Sequence, residues 1–460
     1  MDRFDLCVLG AGPAGYHAAI RTSQLGGKVA LVEEREIGGT CLNRGCIPNR
    51  ALVQSVNLLN EIRNAQSYGL RVGGVEADFA AMKRRAEEIV KRLNTGLREV
   101  LSSYDIQVLE GRGRLRSKNE VEVTGRKGEI QAIQCNNLVI ATGARPFRPW
   151  EAEGFIASEE AWRIVELPET MAILGGSSVG VELAYIFNSL GVETTVVESS
   201  PCILPQFDKE VAIRLQRALK RSDINILTGV EVSGIKNREG KAVVSLSSGE
   251  ALKVDKAVAT KRTDNMSSLG LPELGVETEN GFVKVNERME TSIEGVYAAG
   301  DVAGGSSSQE AFLQGTVAAE NIMGVDSSTA GRFIPRCVYA SPEAVSLGIT
   351  EEEAREKGLT VTVGRFPFSA SGQALCIGEG EGFVKLIVDA KYDEILGLHM
   401  LGPRVTELVG GVSLAMSLEA TAETMAEAVY PHPTLSEALK EAALSSLGRS
   451  IHLPRPKRRI

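Results

Sequence analysis

The sequence predicts an α/β protein: two doubly wound parallel-sheet units followed by a separate α+β unit. Three observations predict it. A strand, glycine-rich turn, helix, strand and acidic residue open the chain, and the same pattern returns from Met171. The two copies share one internal spacing, since Gly10 to Glu33 and Gly175 to Glu198 are each 23 residues. A polar, Gly/Ser-rich stretch at 324–335 then precedes a region in which strands and helices alternate without any glycine fingerprint.

Asp5 to Leu9 reads as an apolar strand, Gly10-Ala11-Gly12-Pro13-Ala14-Gly15 as the turn, and the run to Leu25 as a helix. Val29 to Val32 is the second strand, ending at Glu33. Such a turn lets the backbone approach a pyrophosphate at a helix N-terminus, while the acid can accept ribose hydroxyls. Residues 76–101 read as a long polar helix, 106–135 as a β-meander, and Asn137 to Gly143 as a buried strand. Met171 to Leu174, the turn Gly175-Gly176-Ser177-Ser178-Val179-Gly180, a helix to about Leu190 and a strand from Glu193 to Val197, ending at Glu198, repeat the opening. Two Rossmann-like units at equal spacing imply two dinucleotide sites. Val296 to Val302 is a further apolar strand carrying Gly300-Asp301.

Composition narrows the function. The 460 residues carry 51 basic and 59 acidic side chains, a net charge of -8, which argues against a nucleic-acid or anionic-membrane binder. The 43% hydrophobic content argues against disorder. No run of 18 uncharged apolar residues suggests a membrane span, and the N-terminus lacks a signal-peptide pattern, so a cytoplasmic protein is expected. The basic tail 455–459 is expected to be a solvated end. Seven cysteines do not make a disulfide scaffold. Cys41 and Cys46, in GGTCLNRGCIPNR, could close a disulfide across one turn, and a helix N-terminus there would lower a thiol pKa. No second Cys or His pair lies at zinc spacing, so no metal is expected.

GGTCLNRGCIPNRAL, with GAGPAG before it, ATGARP at 141–146 and AAGDV at 298–302, resembles the flavin-dependent pyridine-nucleotide disulfide oxidoreductases. Within them, HPTLSEALKEAAL at 432–444, VESSPCILPQFD at 197–208 and the stretch 341–389 are similar to the dihydrolipoamide dehydrogenase branch. The resemblance implies FAD on the first fingerprint, held by Gly10, Gly12, Ala14, Gly15, Glu33, Gly39, Thr40, Arg50, Gly113, Thr142, Gly143 and Asp301. It implies NAD on the second, held by Gly175, Gly176, Ser177, Val179, Gly180, Glu182, Glu198, Lys261 and Arg262. Glu198 favours NAD because a carboxylate repels a 2′-phosphate.

Cys41 and Cys46 would be the redox disulfide, Cys46 nearer the flavin and Cys41 exchanging with substrate. His432 would be the acid-base catalyst and Glu437 its orienting carboxylate, both donated across a homodimer. The implied domains are FAD-binding (1–146 and 266–332), NAD-binding (147–265) and dimerisation (333–460). The implied partner is a lipoyl-bearing protein of a 2-oxo acid dehydrogenase or glycine cleavage system.

Four departures from the family pattern stand out. Arg50 replaces a lysine that pairs with the glutamate at position 182, and Ser177 replaces the middle glycine of the second fingerprint. Lys261-Arg262 replaces a Gly-Arg pair, and Ser306 to Gln309 replaces a Met-Leu-Ala-His-like stretch. Tyr430 also stands where a histidine often precedes His432. The alternatives are an NAD(P)H-dependent reductase of another disulfide, or a specialised paralogue with an altered nicotinamide site.

Overall fold

The structure, a computed structural model, describes residues 3–266 and 269–454. The basic tail 455–459 lies outside them.

The first sheet is built on β1 (Arg3–Leu9), whose burial is almost complete beyond Asp5, as expected of a strand covered on both faces. β1 pairs in parallel with β2 (Val29–Glu33), and β2 with the start of β3 (Gln107–Ser117). The far half of β3 turns into an antiparallel meander with β4 (Glu120–Gly125) and β5 (Ile130–Ile140). Gly111 permits the close approach, since a Cβ there would fall 2.5 Å from the Thr124 carbonyl oxygen. The sequence suggested two separate segments where β5 is one strand. Its first half closes the meander, and its second half pairs in parallel with β1 and with β11 (Val296–Ala298). The apolar run after β11 stops early as a strand because Gly300 takes a positive φ of 82° and turns the chain at Asp301.

Helix α1 (Pro13–Gln24) covers this sheet together with α7 (Ser308–Ile322). Between β2 and β3 run α2 (Gly39–Arg44), α3 (Cys46–Arg63) and the long α4 (Phe79–Ser103), which starts at an Asp78 cap three residues later than the periodicity suggested.

The second sheet is wholly parallel, in the order β9 (Asn225–Thr228), β8 (Glu193–Glu198), β7 (Thr170–Leu174), β10 (Lys256–Ala259), β6 (Phe155–Ala157). Its helices are α5 (Ser178–Ser189) and α6 (Lys209–Arg221). A three-stranded antiparallel sheet over 232–254 is appended to it.

Residues 324–335 carry no helix or strand. Beyond them, β12 (Arg336–Val338), β13 (Glu343–Gly348), β14 (Val361–Pro367), β15 (Phe383–Asp389) and β16 (Ile395–Gly402) form an antiparallel sheet. α8 (Val405–Ser417) and α9 (Glu437–Ser446) pack on it through a separate apolar core that includes Val345, Leu386, Val412 and Leu439.

Candidate active site

The first glycine turn joins β1 to the N-terminus of α1. Gly10 has a φ of 99°, which favours glycine, and a Cβ at Gly15 would lie 1.8 Å from the Gly10 carbonyl oxygen. At Gly12 a Cβ would meet nothing closer than 3.9 Å, so this face of the turn is open. No side chain caps α1, which leaves its first N–H groups aimed at that opening. Ala14 seats α1 on α7, where a Cβ at Gly315 would come within 2.1 Å of the Ala14 carbonyl.

Glu33 closes the cradle by accepting the Ala11 and Arg35 N–H groups, both at 2.7 Å. Burial pushes its carboxyl up and these two donors oppose the shift. Gly39 packs on the turn, since its Cβ would fall 2.6 Å from Gly12 Cα, and Gly113 lies behind it, where a Cβ would strike Leu9 at 2.6 Å. Gly143 takes a φ of 67°, and the neighbouring Thr142 hydroxyl is buried without a partner. An open glycine cradle, an uncapped helix N-terminus and an orphaned buried hydroxyl fit the pyrophosphate and polar edge of FAD.

Arg262, grouped by sequence with the second fingerprint, is brought by its fold position to the first. Its guanidinium lies 3.0 Å from Asp301, 3.4 Å from the Thr40 hydroxyl and 3.3 Å from buried Glu159, and it also donates to the Ala144 carbonyl. Glu159 in turn holds Arg44 at 3.2 Å. Burial raises the Asp301 carboxyl, and Arg262 opposes it. Lys261 turns elsewhere, with its ammonium 5.1 Å from the Phe147 ring centre.

Cys41 lies in α2 and Cys46 is the first residue of α3. Both are free thiols. Cys46 Sγ is 3.3 Å from Ser308 Oγ, at the start of α7. The hydrogen bond from Cys41, reinforced by Ser308, brings the Cys46 thiol down to about 7, while the same bond pushes Cys41 up. Thus one sulfur is poised as thiolate and the other as thiol. Partial burial, reinforced by the two nearby sulfurs, pushes the half-buried Tyr16 phenol up to about 12.

One turn beyond Cys46, Arg50 does not pair with Glu182. Its guanidinium stacks 4.1 Å above the Tyr339 ring and reaches Glu343 at 3.8 Å, with one Nη1 buried and unpartnered. Glu182 on α5 accepts the Tyr339 N–H at 3.1 Å. Burial pushes its carboxyl up to about 8, with Tyr339 opposing, Cys46 reinforcing and Arg50 opposing.

The second cradle repeats the first. Gly175 has a φ of 119°, a Cβ at Gly180 would lie 1.9 Å from the Gly175 carbonyl, and Val179 is exposed in the first turn of α5. Glu198 accepts Gly176 N–H and Ser200 N–H, both at 2.7 Å. Ser177 occupies the place of Gly12 at the helix N-cap, with an exposed side chain that caps nothing. The cradle fits a second dinucleotide, with that hydroxymethyl group standing at its mouth.

His432 and Glu437 meet just before and at the start of α9. The ring Nδ1 is 2.9 Å from Glu437 Oε1, while Glu437 Oε2 accepts the Thr434 N–H at 2.8 Å. Burial would raise the Glu437 carboxyl, but Thr434 and His432 outweigh it and hold it below its usual range. The His432 side chain is 79% exposed, and no bond among the described residues ties it to Cys41 or Cys46.

Residues 4–321 match the family described as pyridine nucleotide-disulphide oxidoreductase, and residues 334–443 match its dimerisation domain. The chain belongs to this family. Dihydrolipoyl dehydrogenases of Thermus scotoductus and Bacillus subtilis are 39% and 36% identical to it, each alignment covering 98% of this chain and 99% of the relative. The solved structure of LpdA from Mycobacterium tuberculosis, at 23% identity, has the same fold, with a TM-score of 0.90 over 95% of this chain and 98% of that one. The dihydrolipoyl dehydrogenase family, to which these relatives belong, is FAD- and NAD-dependent. No helix among the described residues is long and apolar enough to cross a membrane.

Sequence reasoning did not single out Tyr16, Glu159, Tyr339 or Glu343, and treated Ser308 only as part of a departure. Tyr339 and Glu343 lie in or beside the 341–389 stretch that carried the resemblance, and that proximity was the available signal.

Proposed function

We propose that the chain is a dihydrolipoyl dehydrogenase. It oxidises the dihydrolipoyl group of a lipoyl-bearing protein of a 2-oxo acid dehydrogenase or glycine cleavage system, with NAD as the final acceptor, in the cytoplasm. The carrying observation is the asymmetric Cys41/Cys46 pair beside the first cradle, in a chain aligned end to end with dihydrolipoyl dehydrogenases.

In this reading Cys41 and Cys46 begin as a disulfide. A substrate thiolate attacks Cys41 Sγ, the Cys41–Cys46 bond breaks, and Cys46 leaves as thiolate, which its low pKa and the Ser308 contact favour. The second substrate thiolate then displaces Cys41. The lipoyl disulfide is released, and the cysteine pair has gained two electrons. His432 of a second copy takes the substrate's thiol protons, and Glu437 orients and charge-balances that imidazole. When bound, FAD supplies the two-electron route from the thiol pair to the nicotinamide. The first cradle, with Glu33, Thr142 and Asp301, holds FAD. The second, with Glu198 as ribose acceptor, holds NAD.

An anaerobic spectral titration tests the proposal. Dihydrolipoamide and NADH should each raise the long-wavelength thiolate band of the purified holoprotein. Failure with dihydrolipoamide refutes the substrate, and failure with NADH alone refutes the nicotinamide half.

A further inference from the structure

The C-terminal sheet reaches the second cradle through a buried charge. Lys385 on β15 is 3% exposed, and its ammonium lies 2.8 Å from Asp208, which is fully buried, and 3.1 Å from Glu351. Beside it across the sheet stand His399 on β16 and Ser346 on β13, which share one register row. Ser346 Oγ accepts the Asp208 N–H at 2.9 Å and bonds His399 Nδ1 at 2.8 Å. The backbone and carboxylate of Asp208 are thus both anchored to the C-terminal sheet.

Asp208 is also the last residue of the segment that walls the second cradle. Its Oδ1 caps α6 through the Glu210 and Val211 N–H groups. Four residues earlier, Leu204 N–H donates to the Gly176 carbonyl at 2.8 Å, and Ile203 packs so close that a Cβ at Gly176 would fall 2.9 Å from it. The same segment begins at Ser200, whose N–H is held by Glu198. A continuous chain of contacts therefore runs from Lys385 through Asp208 and the 200–208 segment to the glycine turn.

We infer that Lys385 is a positioning residue for nicotinamide-dinucleotide binding, fixing through Asp208 the segment that shapes the second cradle. The inference rests on the reading of that cradle as the NAD site. It makes the interface sheet, which contains no nucleotide fingerprint, a determinant of coenzyme affinity. Removing one partner leaves the other as an uncompensated buried charge, whereas neutralising both spares that cost.

The test compares holoprotein carrying Lys385→Met with the double variant Lys385→Met/Asp208→Asn, in which the asparagine keeps the helix cap. NADH affinity by calorimetry, KM for NAD, the rate of reduction by dihydrolipoamide and hydrogen exchange over 199–208 are measured. NADH Kd and NAD KM should rise roughly two- to thirtyfold, the range over which single changes in a coupling network act. Exchange should rise in 199–208 but not in 10–15, and reduction by dihydrolipoamide should keep its wild-type rate. Unchanged NADH affinity in a folded variant overturns the inference, as does an equal loss in both half-reactions. If Lys385→Met fails to fold, the double variant decides by the same readouts. Wild-type protein that binds no NADH refutes instead the underlying assignment of the cradle.

Discussion

Glu182→Gln should flatten the alkaline side of the protein's stability curve. In the folded chain the Glu182 carboxyl is raised from 4.5 to about 8 by burial. A carboxyl whose folded pKa lies above its unfolded one favours the folded state fully below pH 4.5, and that contribution is lost as pH climbs to about 8. Each pH unit in this window costs about 1.4 kcal/mol, so between pH 5 and 8 the wild type should lose roughly 4 kcal/mol that the glutamine variant keeps. Glu182 retains some solvent access, which screens its charge and lowers the expected difference to about 2 kcal/mol. Glutamine can still accept the Tyr339 N–H, so no hydrogen bond is lost with the charge. The assay is urea unfolding of both holoproteins at pH 5, 6.5, 8 and 9 at one ionic strength. Other titrating groups cancel in the difference. Parallel curves across the four pH values would refute the reasoning and show that Glu182 stays ionised beside Arg50.

Glu437→Gln should lower dihydrolipoamide turnover roughly tenfold, because a glutamine cannot accept from both His432 and Thr434, and a charge-assisted bond near the surface is worth about 1.5 kcal/mol. NADH oxidation by an artificial dye should be unaffected, and an equal fall in both assays would contradict the role. Ser177→Gly should tighten NAD binding about fivefold, measured by calorimetry, by clearing from the mouth of the cradle a hydroxymethyl group that a bound pyrophosphate would meet at a cost on the order of 1 kcal/mol, and no gain would clear serine of any cost. In the reduced protein, iodoacetamide should alkylate Cys46 with a midpoint near pH 7, and Ser308→Ala should move that midpoint upward by removing a donor to the thiolate. A midpoint unchanged by the substitution would show that Cys41 alone sets it.

What the sequence made legible is what lies close along the chain. The glycine turns could be read because Gly10, Gly15 and Glu33 solve their problem within one strand–helix–strand unit, and Gly175, Gly180 and Glu198 solve it again. The His432–Glu437 pair, five positions apart, was marked out by the resemblance of the HPTLSE stretch to a known family, and the structure brings the two side chains together. The surroundings of Arg50 were not. A guanidinium can stack on a ring or reach a second carboxylate, and only the tertiary placement of Tyr339 and Glu343 beside Arg50 decides that they receive it. Arg262 likewise carries no local mark separating the flavin side from the nicotinamide side. The continuity of β5 was hidden because an alternating run and a fully apolar run read as different elements, although one strand can leave a half-open meander and enter a covered sheet.

That long strand also dictates an order of assembly. β5 waits for β11, which reaches it from residues 296–298, whereas every strand of the second parallel sheet lies between 155 and 259. On the ribosome the inner sheet is fully synthesised while the outer one still lacks an edge. The nascent chain must therefore carry a finished inner lobe between two halves of an unfinished outer one. Until residue 298 emerges, the Leu138 to Ile140 edge of β5 stays open to mispairing, and that interval is where chaperone dependence of this protein should concentrate.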